Sequence, residues 1–404
     1  MKFALFPRNR KKDKIKEETL LALDVGTSFV KACVFKIKNK KVHILGYGRV
    51  PQQTEAMKGA MIINLKNVIE NCDLAMGEAV RNLGDDIPSK VILGIAGELV
   101  KGVTIMANYD REEPENKITT KEIGEVVKKV RTKAFANVKV QIAEETGLLA
   151  EQVEEISSIV TDTFIDGFRV TNPLEFKGGK VTFRVFSTFA PSVHINSLKT
   201  IAQSLGFEIL GIFVEPYAIT RAFEGASGED FNAVFVDVGG GTTDIALVQK
   251  GGIMGTKMMA FGGKVFTRRL ETKYELNYKE AEKLKLEYSE KELSETKSDE
   301  IRKIFLEDSR VWANGIEIAL EEFEDIEIYP SKFFLCGGGA LLSEVKNSLV
   351  EYPWLQKLRF EKFPDVEFIH PNDLKSIVDD KKLLKDISDV APAALAYMAL
   401  ELDN

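Results

Sequence analysis

The 404-residue sequence predicts an α/β protein of two lobes. Three observations lead there. A chain of this length exceeds what one hydrophobic core usually organises. Strand-like apolar runs alternate with amphipathic helical segments along it. One local device also occurs twice, as "LLALDVGTSFVKACVF" at 20–35 and as "VFVDVGGGTTDIAL" at 234–247. Each copy is an apolar run, an aspartate, a glycine turn with hydroxyl residues, and a second apolar run.

The elements follow in order. Residues 1–16 carry Lys2, Arg8, Arg10, Lys11, Lys12, Lys14 and Lys16 against Asp13, with Phe3, Leu5 and Phe6 as an apolar patch. Two readings stand for this leader: a disordered solubilising tail, or an electrostatic anchor on anionic membrane. Segments 20–37 and 41–50 read as strands of a meander. "INLKNVIENCDLAMGEAVRNLG" spaces its apolar residues as a helix closed by glycine. From about 99 to 185 a separate block holds a helix at "TTKEIGEVVKKVRTKAF", a helix or strand from "GLLAEQVEEISSIV" onward, and a strand at "GKVTFRVFSTFAP". A helix at 194–208 follows. Segments 263–289 and 294–322 read as further helices whose Glu and Lys form solvated faces. "KFFLCGGGALLSEVKNSL" is strand, glycine turn and helix, and "APAALAYMALEL" is an apolar helix.

Composition excludes several classes. Net charge is −7 although the leader is basic, so the body is acidic and offers no broad nucleic-acid surface. No uninterrupted run of 18 apolar residues occurs, and the basic residues follow the first apolar patch instead of preceding a longer one. Neither a membrane span nor a signal peptide is expected. Cys33, Cys72 and Cys336 are isolated in apolar segments and read as core thiols of a reducing compartment.

Three glycine turns carry the chemistry: "DVGTS" at 24–28, "DVGGGTTD" at 237–244 and "CGGGALLSE" at 336–344. A plain hairpin would explain any one of them. The two aspartate-bearing turns do more than a hairpin needs. Turn amides and the hydroxyls of Thr27, Ser28, Thr242 and Thr243 can donate to phosphate oxygens, and Asp24 and Asp237 are available to a hydrated cation. Two such turns facing each other would clamp a polyphosphate between lobes. The third turn has no leading acid and precedes a helix, which suits a nucleoside against glycine backbone. A P-loop string is absent, and the glycine turns at 26 and 239–241 lead into strands, unlike a dinucleotide fingerprint.

The order Asp-x-Gly-Thr, Glu-Pro before a helix, Asp-x-Gly-Gly-Gly-Thr-x-Asp and Gly-Gly-Gly-Ala resembles the actin, chaperone and sugar-kinase ATPase superfamily. "LDVGTS", "VEPYAI", "VDVGGGTTDI" and "LCGGGALLSEV" look like its first phosphate, connecting, second phosphate and adenosine motifs. The resemblance implies an actin-like (ribonuclease H-like) fold that binds ATP with Mg²⁺. Gly26, Thr27 and Ser28, with Gly239, Gly240, Gly241, Thr242 and Thr243, would bind phosphates. Gly337, Gly338, Gly339 and Ala340 would face the adenosine, with Glu282 and Lys285 near ribose and base. Asp24 and Asp237 would hold Mg²⁺ through water, and Asp237 with Glu215 would form the catalytic pair, Glu215 positioning the attacking water. A glutamate that simply caps the turn before Pro216 is the other reading.

Within the superfamily, "VILGIAGELVKG", "ITTKEIGEVVKKV" and "IDGFRVTNPLEFKGGKV" resemble the inserted β-α-β subdomain of the FtsA/PilM group. That implies a leader at 1–18, lobe 1 at 19–98 and 186–225, the insert at 99–185, lobe 2 at 226–385, and a helix at 386–404 returning to lobe 1. It also implies a cytoplasmic protein, peripheral at the inner face of the cell membrane. The expected role is an FtsA-like self-associating scaffold that links division machinery, including the division tubulin, to that membrane. The alternatives are a PilM-like adaptor that binds a peptide of an inner-membrane pilus protein, and, more remotely, a metabolite kinase. FtsA-type chains continue into a C-terminal membrane helix not seen after "ALAYMALELDN", so the basic leader is the expected anchor here.

Overall fold

The computed structural model describes residues 18–53, 56–97, 100–170, 172–223, 231–323 and 326–403. The basic leader, and the expectations placed on it, lie outside these. Lobe 1 starts with the antiparallel meander β1 (Thr19–Val25), β2 (Phe29–Lys38) and β3 (Lys41–Pro51). A small hairpin, β4 (Met57–Lys58) and β5 (Met61–Ile62), leads to α1 (Leu65–Val80) and β6 (Lys90–Ile95). The Asn64 side chain caps α1 by accepting from the Asn67 amide at 3.2 Å. Its buried residues Val68, Cys72, Ala75 and Ala79 recur at helical spacing.

The inserted block contains β7 (Lys101–Asp110), α2 (Thr120–Thr146), β8 (Val153–Ile165), β9 (Phe168–Val170) and β10 (Lys180–Pro191). The chain then returns through α3 (Ser192–Ser204), β11 (Glu208–Val214) and α4 (Glu215–Ala222). Lobe 2 repeats the plan with the antiparallel meander β12 (Ala233–Val238), β13 (Thr243–Gln249) and β14 (Gly252–Met259). Helices α5 (Gly263–Tyr274), α6 (Tyr278–Ser289) and α7 (Glu295–Glu321) precede β15 (Lys332–Cys336), α8 (Ser343–Glu351) and β16 (Asp365–Phe368). The chain ends in β17 (Ile377–Val378) and α9 (Val390–Asp403).

Sheet order exposes the duplication. Lobe 1 runs β11-β6-β1-β2-β3-β17, and lobe 2 begins β16-β15-β12-β13-β14. In each, two parallel strands flank the first strand of an antiparallel meander. The ends of β1 and β12 therefore carry their aspartates to equivalent places. Helix α9 is apolar all round and packs on α4 and the lobe 1 sheet, with Ala393, Ala394, Leu395 and Met398 fully buried.

The insert is joined to lobe 2 more closely than a separate small subdomain would be. Its strands extend the lobe 2 sheet in the order β14-β7-β10-β8-β9, through the pairs Gly255↔Val103 and Thr256↔Gly102. Strand β10 runs unbroken to Pro191, past the expected boundary at 185. Asp162 on β8 is shared by Arg184 at 3.0 Å and by Arg169. Arg184 in turn crowds Gly252 of lobe 2. Among the described residues no helix is long and apolar enough to cross a membrane, and the three cysteines are buried free thiols.

Candidate functional site

The two aspartate-bearing turns meet. Ser28 and Thr27 of the β1–β2 turn lie directly against Gly240 of the β12–β13 turn, where a side chain would collide with the Ser28 hydroxyl. Lys264, at the start of α5, ties the lobes together. Its amide donates to Gly240 O at 2.8 Å and its ammonium to Thr27 O at 2.7 Å. Between the turns opens a cleft of about 1290 Å³, solvent-filled mouth included.

The hairpins are built alike but charged differently. In the β1–β2 ladder Asp24 stands opposite Lys31, and they form an ion pair at 3.0 Å. In the β12–β13 ladder Asp237 stands opposite Asp244. Like charges directly across a ladder destabilise it, so this second arrangement needs a reason outside the sheet. Glu215, the first residue of α4, joins the group from lobe 1.

The electrostatics follow from crowding. Burial, then the charges of Asp24, Asp237 and Asp244, holds Glu215 well above the usual carboxylate range. Burial and then Asp237 do the same to Asp244. Burial pushes Asp237 up to about 6, eased by Lys31 and worsened by Asp24. Burial works against the charge of Lys31, but Asp24, Asp237 and Glu215 outweigh it and hold the ammonium above the ordinary lysine range. Asp24, Asp237 and Glu215 thus act on one lysine, with Asp244 on the strand opposite Asp237. Among the described residues no three His, Cys, Asp or Glu side chains converge as a ready cage for a bare ion. A magnesium ion that keeps its water and leans on one or two carboxylates and on phosphate oxygens suits this donor set.

On the lobe 2 side, Gly337 takes a positive φ of 86° and brings backbone against the Asp237 carboxylate, where no side chain would fit. Gly338 and Gly339 continue the wall. Lys285 on α6 donates to Glu282 at 2.8 Å and to the Thr267 hydroxyl at 2.9 Å. Exposed Leu286 and Leu341 flank the mouth as apolar surfaces for a flat ring.

Most of the expected residues line this one cleft: Asp24, Gly26, Thr27, Ser28, Glu215, Asp237, Gly239, Gly240, Thr242, Glu282, Lys285 and Gly337 to Gly339. Three stand outside that lining. Thr243 points into lobe 2, where its hydroxyl donates to Phe261 O at 2.6 Å and accepts from the Trp312 indole at 2.9 Å. Ala340 belongs to the lobe 2 core, and Gly241 packs against Thr27. The Gly239 amide is spent within its own turn, on Thr242 O at 2.8 Å. Sequence reasoning missed Lys31, Asp244, Lys264, Leu286 and Leu341. A lysine in the apolar run "FVKACVF" and an aspartate closing "DVGGGTTD" were the signals available among them.

A family profile described as the cell division protein FtsA matches residues 234–391. The FtsA of Bacillus subtilis (strain 168) is 24% identical over 357 residues, which cover 82% of this chain and 76% of that protein. The FtsA of Streptococcus pneumoniae serotype 2 is 22% identical over 276 residues, covering 68% of this chain and 57% of that one. Among solved structures, a PilM–PilN type IV pilus biogenesis complex superposes with a TM-score of 0.65 at 16% identity, covering 94% of this chain and 98% of that one. The chain has an actin-like fold and is similar in sequence to FtsA. The profile match begins at β12 and takes in the second aspartate-bearing turn and the glycine wall. The structural match runs through the insert as well.

Proposed function

We propose that the chain binds ATP with Mg²⁺ in this cleft and serves as an FtsA-like division scaffold. It self-associates and links division machinery to the inner face of the cell membrane. The observation that carries the nucleotide reading is the gathering of Asp24, Asp237, Asp244, Glu215 and Lys31 in one cleft where two glycine turns meet. Such an arrangement costs stability and calls for a cation and an anion together. Asp24 and Asp237 would hold Mg²⁺ through water, the turns would take the phosphates, and Glu282, Lys285 and Gly337 to Gly339 would take the nucleoside. Bound ATP supplies a γ-phosphoryl group open to attack by water. Glu215 would orient that water.

Calorimetry with Mg-ATP, repeated with excess chelator, tests this reading. Affinity should fall at least about tenfold without the metal, and metal-independent binding would remove Asp24 and Asp237 from their role. The scaffold reading rests on the FtsA relatives. A PilM-like adaptor for a peptide of an inner-membrane pilus protein is the second reading, favoured by the superposition that covers 98% of the PilM–PilN chain. Binding to division tubulin against binding to such a peptide separates the two.

The membrane link is assigned to residues 1–16. Each Lys or Arg near an anionic leaflet contributes about 1 kcal/mol, so attachment should be reversible, salt-sensitive and strengthened when assembly presents many tails. Full-length protein should pellet with anionic vesicles at low salt and release at high salt, whereas a version starting at Glu17 should not pellet. Equal pelleting of the two would return the leader to a solubilising tail.

A further inference from the structure

The lobe 1 sheet carries a second cation into the cleft. Lys31 stands opposite Asp24 on β1 and, on its other side, opposite Arg49 on β3. Residues directly opposite share a face of the sheet with their Cα atoms about 5 Å apart. Asp24, Lys31 and Arg49 therefore form one row, and all three line the cleft. Asp24 matches the charge of Lys31 at 3.0 Å. Arg49 has no such match. Its one ion pair among the described residues is with Asp386, at 4.0 Å and 38% exposed, a pair worth little.

Like charges directly across a ladder cost the sheet stability, and the fold gains little from this one in return. The guanidinium lies over the Phe29 ring, 4.1 Å from its centroid, and Nη1 donates to the Ser388 hydroxyl at 3.0 Å. Nε is buried without a hydrogen-bond partner, and Nη2 makes no hydrogen bond among the described residues. Buried donors held for the fold are almost always satisfied, so an uncharged side chain would serve the packing better. The position shows what the charge is for. Phe29 follows Ser28 of the first turn, and Ser388 is the residue that a side chain at Gly338 would touch. The guanidinium thus stands between the turn that would take phosphates and the glycine wall that would take the nucleoside.

We infer that Arg49 is a phosphate-binding residue of the cleft, whose Nη2 takes an oxygen of the inner phosphates, those nearest the nucleoside, while Nη1 stays on Ser388. The assignment rests on the nucleotide reading and adds a residue to it. A planar guanidinium steadied by Ser388 and Phe29 presents its remaining donor in a set direction, and a charge-assisted bond to phosphate is about twice as strong as a neutral one. In the nucleotide reading the outer phosphate faces Glu215. Arg49 therefore serves ATP and ADP alike, and gives the cleft a hold on the diphosphate that remains after the γ-phosphoryl group leaves.

Calorimetry on the full chain with Mg-ATP and with Mg-ADP, each at low and high salt, tests the assignment. Arg49→Gln keeps an amide donor and removes the charge. It should weaken both nucleotides by about tenfold to a hundredfold at low salt, and the gap from wild type should narrow at high salt because the side chain is partly open to water. Arg49→Lys, which restores the charge without the planar fork, should recover part of the loss. Urea unfolding establishes that both variants are folded. A residue that only ties β3 to the turn before α9 would behave otherwise, with a loss that salt does not change and lysine does not relieve. That pattern overturns the assignment, as does unchanged affinity for both nucleotides in Arg49→Gln. A loss for ATP without one for ADP overturns it too, since the guanidinium would then reach the outer phosphate. If wild-type protein binds Mg-ATP and Arg49→Gln binds it equally well, this assignment alone fails. If wild-type protein binds neither nucleotide, the nucleotide reading fails and the role of Arg49 falls with it.

Discussion

Lys31→Met is expected to lower the unfolding free energy by about 3–5 kcal/mol at neutral pH, the usual result of breaking a buried ion pair from one side. The Lys31 side chain is 14% exposed and Asp24 4%, with 3.0 Å between them. Methionine keeps the stem and its packing, so the loss isolates the charge. Without Lys31, Asp24 stays buried beside Asp237, Asp244 and Glu215 with no offsetting cation among these neighbours. The pH dependence has a definite sign. Asp237, already at about 6, and the raised Glu215 and Asp244 bind protons more readily folded than unfolded. Their contribution to stability is complete at low pH and lost as pH rises through the folded values. Removing the lysine extends that rise, so the deficit should be largest at pH 7 and shrink toward pH 5. Urea unfolding at the two pH values checks it. A deficit below about 1 kcal/mol at pH 7 would mean that water already screens the pair, and the crowding argument would fail.

Much of this site could be read from the sequence through two strings of equal length. "DVGTSFVK" and "DVGGGTTD" each place a charged residue seven positions after the aspartate, and the ladders pair them as Asp24↔Lys31 and Asp237↔Asp244. An alternating strand puts residues two apart on the same face, so Thr242 and Asp244 must share a face that Thr243 does not. The inward turn of Thr243 was therefore legible from period alone, and the pull of its hydroxyl-rich neighbourhood obscured it. Lys264 was not legible, because its partner Thr27 lies in the other lobe and no local pattern joins them. Neither was the depth to which the insert is welded to lobe 2. Only two residue pairs connect β7 to β14, and "GKVTFRVFSTFAP" looks the same whether its sheet stands alone or continues.

Asp237→Asn should act in opposite directions on stability and on binding. Asparagine keeps the size and the oxygen but carries no charge, so Mg-dependent ATP affinity should fall about 10–100-fold, as when a carboxylate that steadies a metal's water shell is removed. The unliganded protein should become more stable at pH 7. The folded pKa, about 6, lies above the ordinary 3.8, so the penalty for ionising Asp237 is absent below the unfolded value and complete above the folded one. A shift of that size corresponds to at most about 3 kcal/mol. Asp237 keeps part of its surface on the open cleft, where water relaxes the penalty, so a gain of about 1–2 kcal/mol is expected at pH 7 and almost none at pH 4. A structural carboxylate would behave the other way, since its removal would leave partners unsatisfied and lower stability at every pH above its own titration. Calorimetry with Mg-ATP and urea unfolding at pH 4 and 7 measure the two arms on the same preparations. An asparagine variant that is less stable than wild type at pH 7, or that binds Mg-ATP unchanged, would show that Asp237 is held in this cleft for the fold and not for a ligand.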